Sequence, residues 1–169
     1  MRIFLDANIL FSAARAAGAM STLLELLHDN GHQLVASPSV LIEASRNLER
    51  KATPEAQTAL GVLQSRIEIS GGDVANRDVA LTQWLPEKDR HVLAAAIALK
   101  CNALITGDKT HFGSGYGKQF GGVLILSPRM AAGTGSSNCG RGPSCRRTRA
   151  ASSQASGRAC SWQGVSLKR

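Results

Sequence analysis

Short apolar runs alternate along the first 128 residues with stretches whose apolar positions follow helical spacing. The opening run Ile3-Phe4-Leu5, broken by Asp6 and Asn8, predicts a buried strand whose C-terminal end presents polar groups. Leu23, Leu24, Leu26 and Leu27 predict a helix over residues 21–28, stopped near Asn30-Gly31. Residues 33–36 read as the next strand. Ser37 then offers an N-cap and Pro38 a first helical position, opening a helix that runs through Val40, Leu41, Ile42, Glu43, Ala44 and Leu48.

The alternation continues. Residues 54–63 predict a helix, and residues 66–69 a short strand closed by Gly71-Gly72. Residues 73–84 are ambiguous, with a helix as one reading. Pro86 starts the clearest helix of the chain, in which Asp89, Val92, Leu93, Ala96 and Ile97 share one face. Residues 103–106 form another predicted strand, ending at Gly107-Asp108, and Val123–Leu126 the last, halted by Ser127-Pro128. Short apolar strands alternating with helices imply a parallel sheet covered on both faces, in one α/β domain of about residues 1 to 128.

Charge changes this picture only at the C-terminal end. The chain of 169 residues carries a net charge of +8, a value that suggests a polyanionic partner until its location is examined. Residues 1–128 hold twelve Lys and Arg and all twelve Asp and Glu, which cancel. The excess lies in residues 129–169, eight basic residues without an acid, rich in Gly, Ser and Ala and lacking apolar periodicity. Such a composition cannot bury enough apolar surface to offset its ordering entropy. We expect residues 129–169 to be a disordered basic tail; the abrupt onset also suits a frame-shifted or read-through end.

No apolar run approaches the roughly 20 residues that span a bilayer, and Asp6 sits too early for a secretory signal. A cytoplasmic location is the expectation. Cys101 lies in an apolar stretch, and Cys139, Cys145 and Cys160 lack the paired spacing of a zinc site. They read as one core thiol and three free ones.

Candidate chemistry rests on carboxylates. In a parallel α/β sheet, ligands bind beyond the C-terminal ends of the strands, where Asp6 and Asp108 both fall. Asp89 occupies the apolar face of its helix, where an isolated ionised carboxylate is costly unless a cation or donors meet it. Taken singly, each acid has a plainer reading: Asp6 a polar strand end, Glu43 a solvated helix residue, Asp89 a capping residue, Asp108 a turn residue. Taken together, with no basic run beside them, they are hard oxygen ligands of the kind that suits Mg²⁺ or Mn²⁺. His91 and His111 lack paired metal-ligand spacing and read first as exposed or capping residues. Lys109 and Lys118 are either phosphate contacts or solvated charges.

The segments Ile3-Phe4-Leu5-Asp6-Ala7-Asn8, mid-chain Glu43, Asp89-Arg90-His91-Val92-Leu93-Ala94-Ala95-Ala96 and Leu104-Ile105-Thr106-Gly107-Asp108-Lys109-Thr110-His111-Phe112 follow one another in an order that resembles PIN-domain proteins, including the toxin ribonucleases of bacterial toxin-antitoxin pairs. The resemblance covers about residues 1 to 128. It implies a three-layer α/β/α fold around a central parallel sheet and metal-dependent hydrolysis of single-stranded RNA, leaving a 5′-phosphate and a 3′-hydroxyl. Asp6, Glu43, Asp89 and Asp108 are then the catalytic and metal-holding acids, and Asn8 and Thr106 supporting polar groups; Lys109, next to Asp108, stays an RNA-phosphate contact or a solvated charge. An antitoxin seated across the acidic cleft is implied too, while the apolar helix surfaces suit a homodimer. Two rivals stand beside this reading. One is a metal-dependent phosphatase for small phosphoesters, although Ala7-Asn8 after Asp6 lacks the second acid of a DxD pair. The other is a PIN-like module that binds RNA or protein without cutting.

Overall fold

The computed structural model describes residues 1–51, 53–71 and 79–134. Strand β1 (Arg2–Leu5) is followed by helices α1 (Ala7–Arg15) and α2 (Ala19–Asp29), strand β2 (Gln33–Ala36), helices α3 (Pro38–Lys51) and α4 (Pro54–Gln64), and strand β3 (Glu68–Ile69). Helices α5 (Val79–Thr82) and α6 (Glu87–Ala98) lead to strand β4 (Ala103–Ile105). Helix α7 (Lys109–Phe112), a 3-10 turn (Gly113–Gly115), strands β5 (Gln119–Phe120) and β6 (Val123–Leu126) and helix α8 (Pro128–Thr134) complete the described chain.

The strands form one sheet in the order β3-β2-β1-β4-β6-β5. All pairings are parallel except β5 with β6. Phe4, Leu5, Val35, Ala36, Leu104, Ile105 and Ile125 are all buried, as strands covered on both faces require. Right-handed crossovers between parallel strands put the β1-to-β3 connections on one face and the return from β3 to β4 on the other. Accordingly α1 packs against α2, α3 and α4, whereas α6 packs on β4. The result is an α/β fold whose strand order reverses between β1 and β4. That reversal opens a crevice at the C-terminal edge of the sheet, the place where such folds bind ligands.

Register carries the crevice to particular residues. Leu5 pairs with Ile105, and Ile105 with Leu126. The ladder runs one step further, Asp6 N–H donating to Ile105 O (3.1 Å) and Thr106 N–H to Leu126 O (3.1 Å). Asp6 and Thr106 are thus side by side just past the last paired positions.

Three sequence expectations need correction. Asp6 does more than end a strand: its extended backbone makes it the N-cap of α1, accepting from Ala7 N–H. That helix was not anticipated, though Ile9, Leu10, Ala13 and Ala14 bury its inner face. Strand β3 is confined to Glu68–Ile69. The packed chain also does not stop at residue 128: α8 continues it, with Ala131 buried against the body of the domain. Of the ambiguous stretch over residues 73–84, Val79–Thr82 is helical and residues 72–78 lie outside the described residues. Cys139, Cys145 and Cys160 also lie outside them; Cys101 is a buried free thiol, and burial pushes its pKa up.

Candidate active site

Two strand ends and one helix start meet at the crevice, and α3 runs beside them. Asp6 follows β1, Glu43 lies on α3 beyond β2, Asp89 is in the first turn of α6, and Asp108 follows β4 and caps α7. Asp6 is 6 % exposed and its carboxylate is saturated with donors. Ala7 N–H reaches Oδ1 at 2.7 Å, while Asn8 Nδ2 (2.7 Å) and Thr106 Oγ1 (2.6 Å) both donate to Oδ2. Burial nevertheless dominates and raises its pKa, helped by the nearby charge of Glu43 and opposed by those hydrogen bonds.

Thr106, fully buried, joins this carboxylate to the next. Its hydroxyl donates to Asp6 and accepts from Asp108 N–H (3.1 Å) and from Asn8 Nδ2 (3.3 Å). Asn8 Oδ1 in turn accepts from Gly107 N–H at 2.8 Å. A Cβ on Gly107 would lie 3.1 Å from that same Asn8 oxygen, so the close approach of the β4 loop to α1 favours glycine there. The segment Thr106-Gly107-Asp108 is thereby locked to Asp6-Ala7-Asn8 across the two strand ends.

Asp108 divides its oxygens. Oδ1 caps α7, accepting from Thr110 N–H (2.9 Å) and His111 N–H (3.2 Å), as the turn reading of this residue requires. Oδ2 faces the crevice, 2.6 Å from His111 Nδ1. A carboxylate can only accept, so this ring nitrogen carries the proton. Burial works upward on Asp108, but the hydrogen bonds from the His111 side chain and backbone outweigh it and hold the acid below the usual range.

Asp89 closes the cluster. Its Oδ2 is buried without a hydrogen bond, although His111 Nδ1 lies within ion-pair range at 3.3 Å. The two observations agree physically, because the Nδ1 proton is directed to Asp108 and cannot serve both acids. A carboxylate oxygen of Asp89, one of Asp108 and a ring nitrogen of His111 lie within 4.8 Å of one another. The dipole of α6 favours a carboxylate in its first turn, but a buried oxygen without a hydrogen bond remains costly there. Two carboxylates so close, one of them under-satisfied, fit a divalent cation, and oxygen donors are those Mg²⁺ and Mn²⁺ prefer.

The structure therefore brings Asp89 and Asp108 into contact distance of one imidazole and ties Asp6 to Asp108 through Thr106. Asn8 and Thr106 stand as the polar supports. Glu43 stays outside the tight cluster, exposed on α3, and acts on Asp6 through its charge. Lys109 is exposed beside Asp108, and His91 is exposed on α6. Sequence reasoning underrated His111, whose signal was its spacing of three from Asp108, and missed Tyr116. The Tyr116 hydroxyl donates to Thr106 O at 3.1 Å, and burial together with Asp108 and Asp6 raises its pKa.

No curated protein sequence matches this one. Among solved structures, VapBC2 from Rickettsia felis, described as bound to a DNA fragment from its promoter, aligns with a TM-score of 0.53 at 20% identity, covering 75% of this chain and 98% of that one. FitAcB from Neisseria gonorrhoeae aligns with a TM-score of 0.50 at 15% identity, covering 75% and 98%. At these identities the likeness concerns the fold. The family model described as PIN domain matches residues 2–110, a span that begins at β1 and takes in Asp6, Glu43, Asp89 and Asp108, and the chain belongs to the PIN-domain family.

Proposed function

We propose that this protein is a metal-dependent endoribonuclease that hydrolyses phosphodiester bonds in single-stranded RNA, and that it is the toxin of a toxin-antitoxin pair. PIN-domain proteins as a family are nucleases. The observation that carries the reading is the buried Asp89 oxygen without a hydrogen bond, facing Asp108 and His111 at the switch point of the sheet. Asp6, Asp89 and Asp108 would hold Mg²⁺ or Mn²⁺, with Glu43 holding or orienting a second ion or the water. Such an ion, when bound, polarises the scissile phosphate and lowers the pKa of water. The antitoxin partner and the cytoplasmic setting rest on the family resemblance.

The chain's own groups divide the remaining work. Thr106 and Asn8 hold Oδ2 of Asp6 and Ala7 N–H holds Oδ1, so no side-chain reorganisation is needed when phosphate arrives. The Asp108 cap bonds hold Oδ1, and His111 Nδ1–H holds Oδ2. Glu43, exposed and near Asp6, is free to take a proton from attacking water. His111 donates its Nδ1–H to Asp108 and lies 3.3 Å from Asp89, so its ring stands between the two acids.

Cleavage of labelled single-stranded RNA by the full chain, in Mn²⁺, in Mg²⁺ and in EDTA, tests this together with Asp89→Asn. Metal-dependent cutting that vanishes in EDTA and in the variant is the expected result, with the variant still folded by circular dichroism. Cutting that persists in Asp89→Asn would sink the assignment, and a folded protein that binds metal but never cuts would point to a binding module.

A further inference from the structure

The acids that make the crevice suitable for a cation make it hostile to RNA until the cation is in place. Asp6, Glu43, Asp89 and Asp108 all repel a phosphodiester, and residues 1–128 carry no compensating net charge. Something beside the cluster has to hold the strand. Strands β1 and β2 are parallel neighbours, so α3, which leaves the C-terminal end of β2, starts at the same edge as Asp6. Along it, Ser39, Ile42, Glu43, Arg46, Asn47 and Arg50 line one open concavity of about 570 Å³.

Glu43, Arg46 and Arg50 are spaced three and four apart, so they follow one stripe of the helix. Arg46 and Arg50 are both exposed, about 6 Å apart along the axis. Neither makes a hydrogen bond or ion pair with another described residue, whereas Arg2 is paired with Glu68, Arg66 with Glu25, and Arg90 is bonded to Leu85 O. Two unpaired guanidiniums in a groove that ends at an active-site carboxylate match the fork geometry of phosphate oxygens. Ile42, 51% exposed in the same groove, offers an apolar surface without hydrogen-bonding preference. We propose that Arg46 and Arg50 bind successive phosphates of the single strand flanking the scissile bond, with a base against Ile42, and so hold the RNA across Glu43. The identity of the strand rests on the ribonuclease reading; the seat itself rests on the groove.

The test measures binding of a short labelled single-stranded RNA to the full chain in EDTA, across a salt series, alongside kcat and KM with Mn²⁺. Arg46→Ala/Arg50→Ala and Arg46→Lys/Arg50→Lys are compared with wild type. Each phosphate contact on a single strand contributes about 0.7 to the slope of log affinity against log salt. The alanine pair should therefore lower the slope by about 1.4, weaken binding about tenfold at low salt and raise KM with little change in kcat, as loss of uniform binding requires. The lysine pair should restore the slope. An unchanged slope and KM in the alanine pair overturns the seat, even if wild type cuts RNA as proposed. Binding that depends on the pair in a protein that never cuts would keep the seat and remove the nuclease. Loss of an acidic protein partner with RNA binding unaltered would reassign the groove and overturn the proposal.

Discussion

At the scale of single residues, Thr106 carries more of the site than any acid does. Its hydroxyl donates to Asp6 and receives Asp108 N–H, so one side chain sets the relation between two strand ends. Thr106→Val keeps the volume and removes these two bonds and the one from Asn8 Nδ2, leaving a carboxylate oxygen short of a donor and a backbone N–H without its acceptor. We expect a loss of about 2 kcal/mol in urea unfolding and a fall in RNA cleavage larger than that of a surface control such as Gln64→Ala. Equal activity in Thr106→Val and wild type would show that the lock is dispensable. Asp6 and Asp108 also pull stability in opposite directions with pH in metal-free buffer. Asp6 is raised, so its contribution is complete below its ordinary value of 3.8 and is lost as pH rises through the raised value. Asp108 is lowered, so its contribution is present above 3.8 and is lost as pH falls through the lowered value. Thermal midpoints in EDTA should then show Asp6→Asn above wild type at neutral pH, with the gain shrinking toward acid, and Asp108→Asn below it at neutral pH, with the deficit shrinking toward acid. Parallel midpoint curves for the three proteins would contradict both shifts.

Elements were legible in proportion to their length and period. Helix α6 and strands β1, β2, β4 and β6 coincide with the apolar runs that predicted them, and Ser37-Pro38 opens α3 at the expected place. Helix α1 was hidden because Asp6 and Asn8 look like the ragged end of a strand. In the fold that same Asp6 both ends β1 and caps α1, so no loop residues separate the two. Helix α7 and strand β5 are four and two residues long, too short for any period to show. Beside its pairing with β6, β5 makes an aromatic contact: Trp84 stacks on Phe120 with ring centroids 4.8 Å apart and meets Phe112 edge-on at 6.2 Å. Gly115 passes directly beneath this cluster, and a Cβ there would stand 2.5 Å from Trp84 Cη2 and 3.2 Å from Ile125 Cδ1. Gly115→Ala should therefore displace the indole, shift tryptophan emission and cost roughly 1–3 kcal/mol. Unaltered emission and stability would mean that the turn yields instead of the ring. Helix α8 gives a second test at this scale. A chain ending at Ser127 loses the buried Ala131 and the Met130 side chain beside Gly117. It should unfold on the order of 1–2 kcal/mol more easily than one ending at Thr134, and equal midpoints would make α8 an ornament of the last strand.

For the molecule as a whole, the decisive property is strand order, and no pattern of residues encodes it locally. The apolar runs place Asp6 and Asp108 at strand ends but not beside each other; only the reversal between β1 and β4 does that. The orientation of His111 between Asp89 and Asp108 follows from the same reversal, because it requires α6 and α7 to meet over β4, which is why a residue with a plain capping reading lies in the cluster. A fold that gathers carboxylates in this way stores repulsion, and anything that binds the folded cluster but not the unfolded chain should recover it. Mn²⁺ present at about 100 times its dissociation constant would stabilise the native state by about 2.7 kcal/mol, which for a domain of this size is roughly a 10 °C rise in thermal midpoint. We expect that rise in the full chain, its reversal by EDTA, and its loss in Asp89→Asn and in Asp108→Asn, whereas Arg46→Ala/Arg50→Ala should keep it, since the guanidiniums face phosphate rather than cation. A midpoint that climbs equally in wild type and in both aspartate variants would place the ion elsewhere on the surface, and the convergence of Asp89, Asp108 and His111 would then need another explanation than metal.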